Sequence, residues 1–236
     1  MKAVLQAGGL GTRLRPFTFV IPKPLVPFGE LPIIEILCQW LRRNGIDELI
    51  ISTGYLAHLV QGVCGDGSQW DIRIRYVHEE KALGTVGALN LIARSWLSEP
   101  FFLLNGDILT DLDLNALMNS HKENGGIATV ACHTTEVKLE YGVIETEGAR
   151  LTGFREKPAM NYTVSMGVYA FDPSIVSYIP RGVAFGFDDL MYTLLRAQQP
   201  VHVYRHDGIW LDIGRPEDYQ KAQESFSSYR SRILGV

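Results

Sequence analysis

The sequence predicts an α/β fold in which a mixed, mostly parallel β-sheet is covered by helices on both faces. Short apolar runs alternate with helical patterns through the first 135 residues, as in βα units. Some of these runs, such as PFFLLNG, are almost wholly apolar, as is typical of strands buried on both faces. After residue 140 the pattern changes to YGVIETEGARLTGFREKP, which predicts an inserted β-hairpin that turns at Glu147 and Gly148.

The elements of the first half follow from local patterns. The predicted strands are, in chain order, KAVLQA, DELIIST, DIRIRYVH, PFFLLNG and IATVACH. The predicted helices between them are LPIIEILCQWLRRNG, YLAHLVQGV, GTVGALNLIARSWL and LDLNALMNSHKENG. Pro32 near the start of the first helix, and Gly45 and Gly125 at the ends of the first and last, are typical helix boundary residues.

The second half predicts a hairpin followed by a return to helices and strands. TVSMGVYAF indicates a long strand, DDLMYTLLRAQQ a helix and VHVYRH another strand. WLDIG follows, and a polar helix begins near Glu217. Because no linker, repeat or low-complexity segment separates the halves, we expect one domain. Ligands of such a fold are expected at the carboxyl ends of the strands.

Composition limits the classes of partner. The chain has 236 residues, of which 46% are hydrophobic and 20% charged, as in an ordinary globular protein. A net charge of -4 argues against a general nucleic-acid binder. No stretch is long enough to span a membrane, and the apolar run in MKAVLQAGG is too short for a secretory signal. Three widely spaced cysteines, Cys38, Cys64 and Cys132, favour free buried thiols. We therefore expect a cytoplasmic protein that binds neither nucleic acid nor membrane.

A glycine-rich loop, AGGLGTR, follows the first predicted strand. Backbone N–H groups at such a position can bind phosphate. The loop lacks both the GK[ST] of a Walker A motif and the GxGxxG spacing of dinucleotide folds, so a tight turn without a ligand explains the glycines equally well. Two cations, Arg13 and Lys23, favour a polyphosphate ligand. Pro22 and Pro24 restrict the backbone around Lys23, and we expect an extended, stiff segment there.

The segment GGLGTRLRPFTFVIPKPLVP resembles the signature of sugar-phosphate nucleotidyltransferases, also called nucleoside-diphosphate-sugar pyrophosphorylases. The resemblance continues in chain order through HEEKALGTVGAL, LLNGD, YGVIE, GFREKP, SMGVYAF and WLDIGRPEDY. It is most evident toward mannose-1-phosphate and bacterial heptose-phosphate guanylyltransferases. It implies a Rossmann-like fold and a single domain over residues 1–236. The nucleotide-binding part would cover about 1–135 and the sugar-phosphate-binding part, with the hairpin, about 136–236.

The resemblance implies a reaction in which an NTP and a sugar 1-phosphate give an NDP-sugar and pyrophosphate, with Mg²⁺ as cofactor. The nucleotide-binding residues would be Gly8, Gly9, Gly11, Thr12, Arg13, Glu79 and Gly84. Arg13, Lys23 and Asp107 would be the catalytic residues, and Asp107 and Asp212 would bind the metal. A sugar phosphate is already anionic, so charge neutralisation and positioning suffice without a dedicated general base.

Sugar-phosphate binding is implied for four residues of the second half: Gly142, Glu156, Lys157 and Ser165. Glu156 would contact sugar hydroxyls, and Lys157 would hold the phosphate. Family members often carry asparagine at the position of Ser165, and serine has fewer hydrogen-bonding groups than asparagine. The sugar is therefore less well defined than the reaction class.

Base preference is predicted from Glu79, at a position where pyrimidine-specific relatives often carry glutamine. A carboxylate only accepts hydrogen bonds, which suits the adjacent N1–H and N2–H₂ donors of guanine. We therefore expect GTP, paired with mannose 1-phosphate or a heptose 1-phosphate. The open alternative is that Glu79 is a solvated charge like its neighbour Glu80.

Other functions stay open at this level. The same chemistry with UTP or dTTP would change only the base and sugar contacts, and a pyrophosphorylase-like regulatory subunit would lack catalysis. An NAD-dependent dehydrogenase is disfavoured by the missing GxGxxG. Asp111 and Asp113 imitate a glycosyltransferase DxD motif, but their position before a helix favours capping. His202 and His206 lie too far apart on a strand to share one metal. Homo-oligomerisation is an open alternative.

Overall fold

The computed structural model describes residues 1–235, so Val236, the last residue of the predicted domain, lies outside the described range. The α-helices are α1 Ile33–Arg43, α2 Ala57–Cys64, α3 Gly84–Gly87, α4 Leu114–Asn124, α5 Phe187–Arg196 and α6 Pro216–Leu234. The strands are β1 Lys2–Ala7, β2 Pro27–Phe28, β3 Leu31–Pro32, β4 Glu48–Thr53, β5 Arg73–His78, β6 Phe101–Asn105, β7 Ile108–Thr110, β8 Ala128–Lys138, β9 Val143–Glu147, β10 Arg150–Arg155, β11 Ala159–Phe171, β12 Val201–Arg205 and β13 Trp210–Asp212.

A seven-stranded sheet forms the centre of the protein, in the order β12-β8-β11-β6-β1-β4-β5. β5, β4, β1 and β6 are parallel neighbours, and β8 and β12 are also parallel to each other. β11 pairs antiparallel with both β6 and β8. The predicted mixed, mostly parallel, Rossmann-like sheet is therefore confirmed, with one reversed strand near its middle.

Helices cover the sheet on both faces because its inner strands alternate between two apolar cores. On β1, Ala3 and Leu5 belong to the core beneath α1, α4 and α6, whereas Val4 belongs to the core beneath α5. All three side chains are fully buried. A strand that is apolar on both faces cannot sit at a solvated surface, which explains the continuous apolar runs in the sequence.

The predicted hairpin is the antiparallel pair β9–β10, inserted between β8 and β11. The outer halves of β8 and β11 pair with each other and carry the hairpin away from the central sheet. None of residues 134–165 is buried. We call this segment, residues 134–165, the arm.

Two local predictions are wrong. The segment 84–97 is not one helix: α3 covers one turn and continues as 3₁₀ turns at Ala88–Leu91 and Arg94–Trp96. Gly84 and Gly87 lower the helix propensity of this segment. Lys23 is not extended but begins a 3₁₀ turn over Lys23–Leu25, because its carbonyl accepts a hydrogen bond from Val26 N.

The helices of residues 1–235 include none with the length and apolar content required to cross a bilayer. The three cysteines are free and buried, as predicted. Burial raises the pKa of the Cys64 thiol to about 12. These thiols are therefore poor nucleophiles at neutral pH.

Candidate functional site

The glycine loop lies at the carboxyl end of β1, directly above Glu79. A Cβ on Gly8 would lie 2.3 Å from Glu79 Oε1, so a larger residue there would displace the carboxylate of Glu79. Gly11 has φ +59°, and its carbonyl accepts a hydrogen bond from Thr18 Oγ1 at 2.8 Å. Because these glycines allow a tight path, the loop passes over the sheet edge and continues into a 3₁₀ turn at Thr12–Leu14.

A cleft of about 390 Å³ opens beside this loop. Its walls come from the ends of β1 and β6, the glycine loop, the segment around Glu79 and the residue after Ile213. The lining residues are Gln6, Ala7, Gly9, Gly11, Thr12, Arg13, Lys23, Pro24, Glu79, Ala82, Gly84, Thr85, Asn105, Gly106, Asp107 and Gly214. The cleft thus brings together most of the residues predicted to bind nucleotide.

Three predicted residues converge around Gly214. A Cβ on Gly214 would lie 2.8 Å from Asp212 Oδ1, 3.0 Å from Asp107 Oδ2 and 3.3 Å from Arg13 Nη2. Two carboxylates and one guanidinium, separated by about a hundred residues or more along the chain, therefore meet at one point.

Backbone contacts fix this convergence. Ile213 N donates to the carbonyl of Asp107 at 2.9 Å, and β13 pairs antiparallel with β7. Gly106 N donates to Gln6 O at 3.1 Å, which ties the β6 end to β1. The two aspartates are consequently held by hydrogen-bonded backbone at the edge of the sheet.

Lys23 forms an ion pair with Asp107 through Nζ and Oδ2. Their side chains are only 14% and 17% exposed, respectively. An ion pair so shielded from water is screened much less than one on the open surface. Lys23, which was predicted to neutralise phosphate, is therefore paired with Asp107, which was predicted to bind metal.

The two aspartates fit a divalent cation that also binds phosphate. Mg²⁺ in phosphate-handling sites is usually held by one or two carboxylates, with phosphate oxygens and water completing the shell. Asp107 Oδ2 and Asp212 Oδ1 both face the space beside Gly214. Within residues 1–235, no group of three or more His, Cys, Asp and Glu side chains is placed to hold a metal ion. Phosphate oxygens and water would therefore have to complete the shell of a cation held by the two aspartates.

Glu79 is buried, with a relative exposure of 7%, so it is not the solvated charge considered above. Oε1 accepts a hydrogen bond from Ser52 Oγ at 2.6 Å, and Oε2 accepts one from Leu83 N at 3.0 Å. Glu80, by contrast, is exposed. The carboxylate of Glu79 is held in one orientation at the wall of the cleft.

Gly84 lies at the start of α3 with φ +76°. A Cβ there would lie 2.7 Å from the carbonyl of Phe185, so this position requires glycine for conformation and for space. The same carbonyl accepts hydrogen bonds from Val86 N and Gly87 N, both at 3.2 Å. These contacts hold the backbone of Gly84 at the wall of the cleft.

The residues predicted to bind sugar phosphate lie elsewhere, on the arm. A Cβ on Gly142 would lie 3.2 Å from Glu156 Oε2, so these two positions are neighbours. Lys157 Nζ lies 3.9 Å from Glu140 Oε2, and both side chains are more than half exposed. Neither Gly142, Glu156, Lys157 nor Ser165 lines the cleft.

Ser165 connects the arm to the sheet. Its hydroxyl donates to Tyr169 Oη at 3.2 Å and accepts a hydrogen bond from Gly167 N at 3.3 Å. Burial raises the pKa of Tyr169 to about 12, so the phenol stays protonated. A Cβ on Gly167 would lie 2.6 Å from Asn105 Nδ2, which places this bulge of β11 against a residue of the cleft.

Asp111 and Asp113 have structural partners, as their position before α4 indicated. Asp113 caps α4 by accepting from Asn115 N and Ala116 N. Asp111 Oδ1 accepts from Ile209 N at 2.7 Å and lies 2.9 Å from His206 Nε2. Asp111 thereby holds the segment that leads into β13 and Asp212.

Several residues that line the cleft were not predicted as site residues, among them Gln6, Asn105 and Gly214. Asn105 and Gly214 lie within the quoted motifs LLNGD and WLDIG, so their positions were available in the sequence. Gln6 had only one signal, which is a polar residue inside the otherwise apolar strand KAVLQA.

Curated proteins of known name are similar to this chain over most of its length. The chain is 35% identical over 241 residues to a UTP–glucose-1-phosphate uridylyltransferase of Synechocystis sp.. It is 33% identical over 227 residues to the mannose-1-phosphate guanyltransferase beta-A of Xenopus laevis. The alignments cover 94% and 93% of the chain, respectively, and the chain spans 62% of the length of each relative.

The fold also matches a solved structure, that of HddC from Yersinia pseudotuberculosis complexed with GMP-PN. The TM-score is 0.72 at 25% identity, and the match covers 95% of this chain and 99% of that one. The model of the nucleotidyl transferase family matches residues 2–228, which is nearly the whole sequence. On this evidence the chain belongs to the nucleotidyl transferase family.

Proposed function

We propose that this protein transfers a nucleotidyl group from an NTP to a sugar 1-phosphate, giving an NDP-sugar and pyrophosphate. Residues 1–236 would act as one nucleotidyltransferase domain, with the nucleotide bound by about 1–135 and the sugar phosphate by about 136–236. The observation that carries the proposal is the convergence of Arg13, Asp107 and Asp212 around Gly214. The names of the relatives are consistent with this reaction class.

Triphosphate binding is assigned to the glycine loop and its cations. Gly8, Gly9, Gly11 and Thr12 would present backbone N–H groups and a hydroxyl to the phosphates. Arg13 would hold the pyrophosphate as it leaves, because a guanidinium binds phosphate oxygens in a bidentate manner. Its Nη2 already lies beside the two aspartates.

Lys23 would neutralise the α-phosphate, toward which the sugar phosphate moves. In the free protein its Nζ contacts Asp107. When a phosphate enters, Lys23 can exchange this carboxylate for a phosphate oxygen while staying in the same place. The fixed position reduces the reorganisation needed when charge develops at phosphorus.

Asp107 and Asp212 would hold Mg²⁺ beside Gly214. When bound there, the cation would neutralise phosphate oxygens and orient the α-phosphate. The attacking group is the phosphate of the sugar 1-phosphate, which carries its own negative charge. The protein therefore needs to hold two polyanions in line rather than to remove a proton.

The acceptor would be bound by the arm. Glu156 would accept hydrogen bonds from sugar hydroxyls near the backbone of Gly142, and Lys157 would pair with the sugar phosphate. Its present partner, Glu140, lies at 3.9 Å and is solvent-exposed, so the ion pair is easily exchanged. Ser165, at the base of the arm, would contact the sugar from the side of the sheet.

GTP is the proposed nucleotide, with mannose 1-phosphate or a heptose 1-phosphate as acceptor. The supporting observation is the buried carboxylate of Glu79 at the wall of the cleft. A fixed acceptor suits the adjacent N1–H and N2–H₂ groups of guanine. The backbone of Gly84 would approach the same base.

UTP is the second candidate. Both oxygens of Glu79 already accept hydrogen bonds from Ser52 and Leu83, which leaves fewer lone pairs for a base. A relative at 35% identity is named a uridylyltransferase. Either base leaves the proposed chemistry at phosphorus unchanged.

Pyrophosphate release by the purified protein tests the proposal. GTP, UTP, dTTP, ATP and CTP would each be combined with glucose, mannose and heptose 1-phosphates, with and without Mg²⁺. We expect Mg²⁺-dependent release with one or a few pairs, and an NDP-sugar identified by mass spectrometry. Pyrophosphate release without a sugar phosphate, or no release with any pair, would contradict the proposed function.

Comparison of wild type with Glu79→Gln tests the base. GTP preference predicts that the ratio of kcat/KM for GTP to that for UTP falls by about tenfold in the variant. Glu80→Gln, which changes an exposed neighbour, is the matched control and should leave the ratio unchanged. A wild type that prefers UTP would replace the guanine assignment by the second candidate.

A further inference from the structure

Three polar side chains form a row at the carboxyl edge of the sheet. Gln6 on β1 is the register partner of Ser52 on β4 and of Asn105 on β6. Side chains alternate along a strand, so Gln6 follows Val4 on the face toward α5. Gln6 and Asn105 both line the cleft.

Gln6 differs from Ser52 in having no hydrogen-bond partner for its side-chain amide nitrogen within the described residues. The hydroxyl of Ser52 is used to hold Glu79. The Nε2 atom of Gln6 is buried, and no residue between 1 and 235 accepts a hydrogen bond from it. Buried amide donors in folded proteins are rarely left without an acceptor, so this one calls for an explanation.

The position of Gln6 defines which part of a nucleotide would meet it. On one side lies Ser52, which carries Glu79 at the base end of the cleft. On the other side lies Asn105, two residues before Asp107 at the phosphate end. In a nucleoside triphosphate the ribose lies between base and phosphate, so the ribose would lie over Gln6.

We propose that Gln6 is a specificity-determining residue that hydrogen bonds to the 2′-hydroxyl of the bound nucleotide and selects ribonucleotides over 2′-deoxyribonucleotides. This inference rests on the proposed function, because it takes the base and phosphate ends of the cleft from it. The last torsion of a glutamine side chain is soft, so the amide can turn its donor toward the ribose. A 2′-hydroxyl oxygen supplies the acceptor that Nε2 lacks in the free protein.

The proposal predicts that a 2′-deoxynucleotide is a poorer substrate than the matching ribonucleotide. Without the 2′-oxygen, the Gln6 donor would remain buried and unpaired in the complex. A site built to hydrogen bond a hydroxyl discriminates against an analogue that lacks it for this reason. The discrimination would appear with any base, because it depends on the ribose alone.

The test compares GTP with 2′-deoxyGTP, and UTP with 2′-deoxyUTP, using the sugar 1-phosphate that supports turnover. We expect wild type to favour each ribonucleotide in kcat/KM. Gln6→Leu should reduce this preference on the order of tenfold, which corresponds to one hydrogen bond. The loss should fall on the ribonucleotide and leave the GTP-to-UTP ratio unchanged. Gln61→Leu, at an exposed position of α2, is the control.

Each outcome decides the inference. An active Gln6→Leu variant that keeps the wild-type preference for ribonucleotides would overturn it, and so would a shift in the GTP-to-UTP ratio alone, since the amide would then face the base. If Gln6→Leu does not fold, Gln6→Met keeps the unbranched shape and gives the same comparison. Failure of the proposed function would look different, because wild type would then release no pyrophosphate with any pair.

Discussion

The charged side chains of the cleft and of the arm differ in how firmly they are held. In the cleft, Lys23 and Asp107 form a shielded ion pair, and Asp107 and Asp212 are fixed by hydrogen-bonded backbone. On the arm, Lys157 and Glu140 are a loose, solvent-exposed pair. A preorganised site suits the step in which charge develops, whereas an exposed site suits a ligand that must enter and leave. The difference is consistent with the proposal that chemistry takes place in the cleft and acceptor binding on the arm.

The largest expected effect is on turnover after Asp107→Asn. Removing this carboxylate takes away one of the two proposed metal ligands and leaves Lys23 without its partner, so we expect turnover to fall about a thousandfold with the fold retained. The measurement is Mg²⁺-dependent pyrophosphate release, with circular dichroism as the check on folding. Asp207→Asn changes an exposed aspartate and should be near wild type. Full activity in Asp107→Asn would show that the carboxylate of Asp107 is not needed for the reaction.

The contribution of apolar packing to stability should also differ between the central sheet and the arm. Leu103 on β6 is fully buried, whereas Leu151 on the arm is 59% exposed. Leu103→Ala should lower the free energy of unfolding by about 2–5 kcal/mol, because it leaves a cavity in the core. Leu151→Ala should change it by less than about 0.5 kcal/mol. Chemical denaturation measures both, and equal losses would contradict the contrast between core and arm.

Arg13→Ala should reduce turnover with every sugar 1-phosphate, because its guanidinium is assigned to the leaving pyrophosphate. Loss of one donor that meets charge developing in the transition state costs about a hundredfold in kcat. Arg15→Ala is the matched control, since Arg15 lies over the ring of Phe19 and does not line the cleft. A loss in Arg13→Ala confined to one sugar would place Arg13 in acceptor binding instead.

The smallest effect is expected on the arm. Lys157→Ala should raise the KM for sugar 1-phosphate about tenfold and leave the KM for NTP unchanged, because a single exposed charge pair is lost. Lys138→Ala removes another exposed arm lysine, paired with Glu136, and should have no effect on either KM. If Lys157→Ala instead weakened NTP binding, the division between cleft and arm would be wrong.

Sequence patterns predicted the sheet, the hairpin and most helices because these depend on local periodicity. The prediction failed at 84–97, where the backbone N–H groups of Val86 and Gly87 donate to the carbonyl of Phe185. Such a contact joins residues a hundred positions apart, so no local pattern reveals it. Likewise, the sequence could not show that Lys23 rests on Asp107, or that Glu79 is already held by Ser52.

The role of Gln6 could not be predicted from the sequence either. One glutamine in an apolar strand predicts little by itself, because a single polar residue often faces solvent at a strand end. Its significance comes from its register between Ser52 and Asn105 and from its unpaired amide. These are properties of the folded sheet, and they define a testable role only after the cleft is known.

The most direct test is hydrogen–deuterium exchange measured after the nucleotide is added and again after the sugar 1-phosphate is added. The central claim is that the cleft binds the nucleotide and the arm binds the acceptor. Mg²⁺ with a non-hydrolysable NTP should slow exchange in residues 8–14 and 105–107 and leave residues 141–157 unchanged. Addition of sugar 1-phosphate should then slow exchange in 141–157. Protection of the arm by the nucleotide alone, or of the glycine loop by the sugar 1-phosphate alone, would contradict the account.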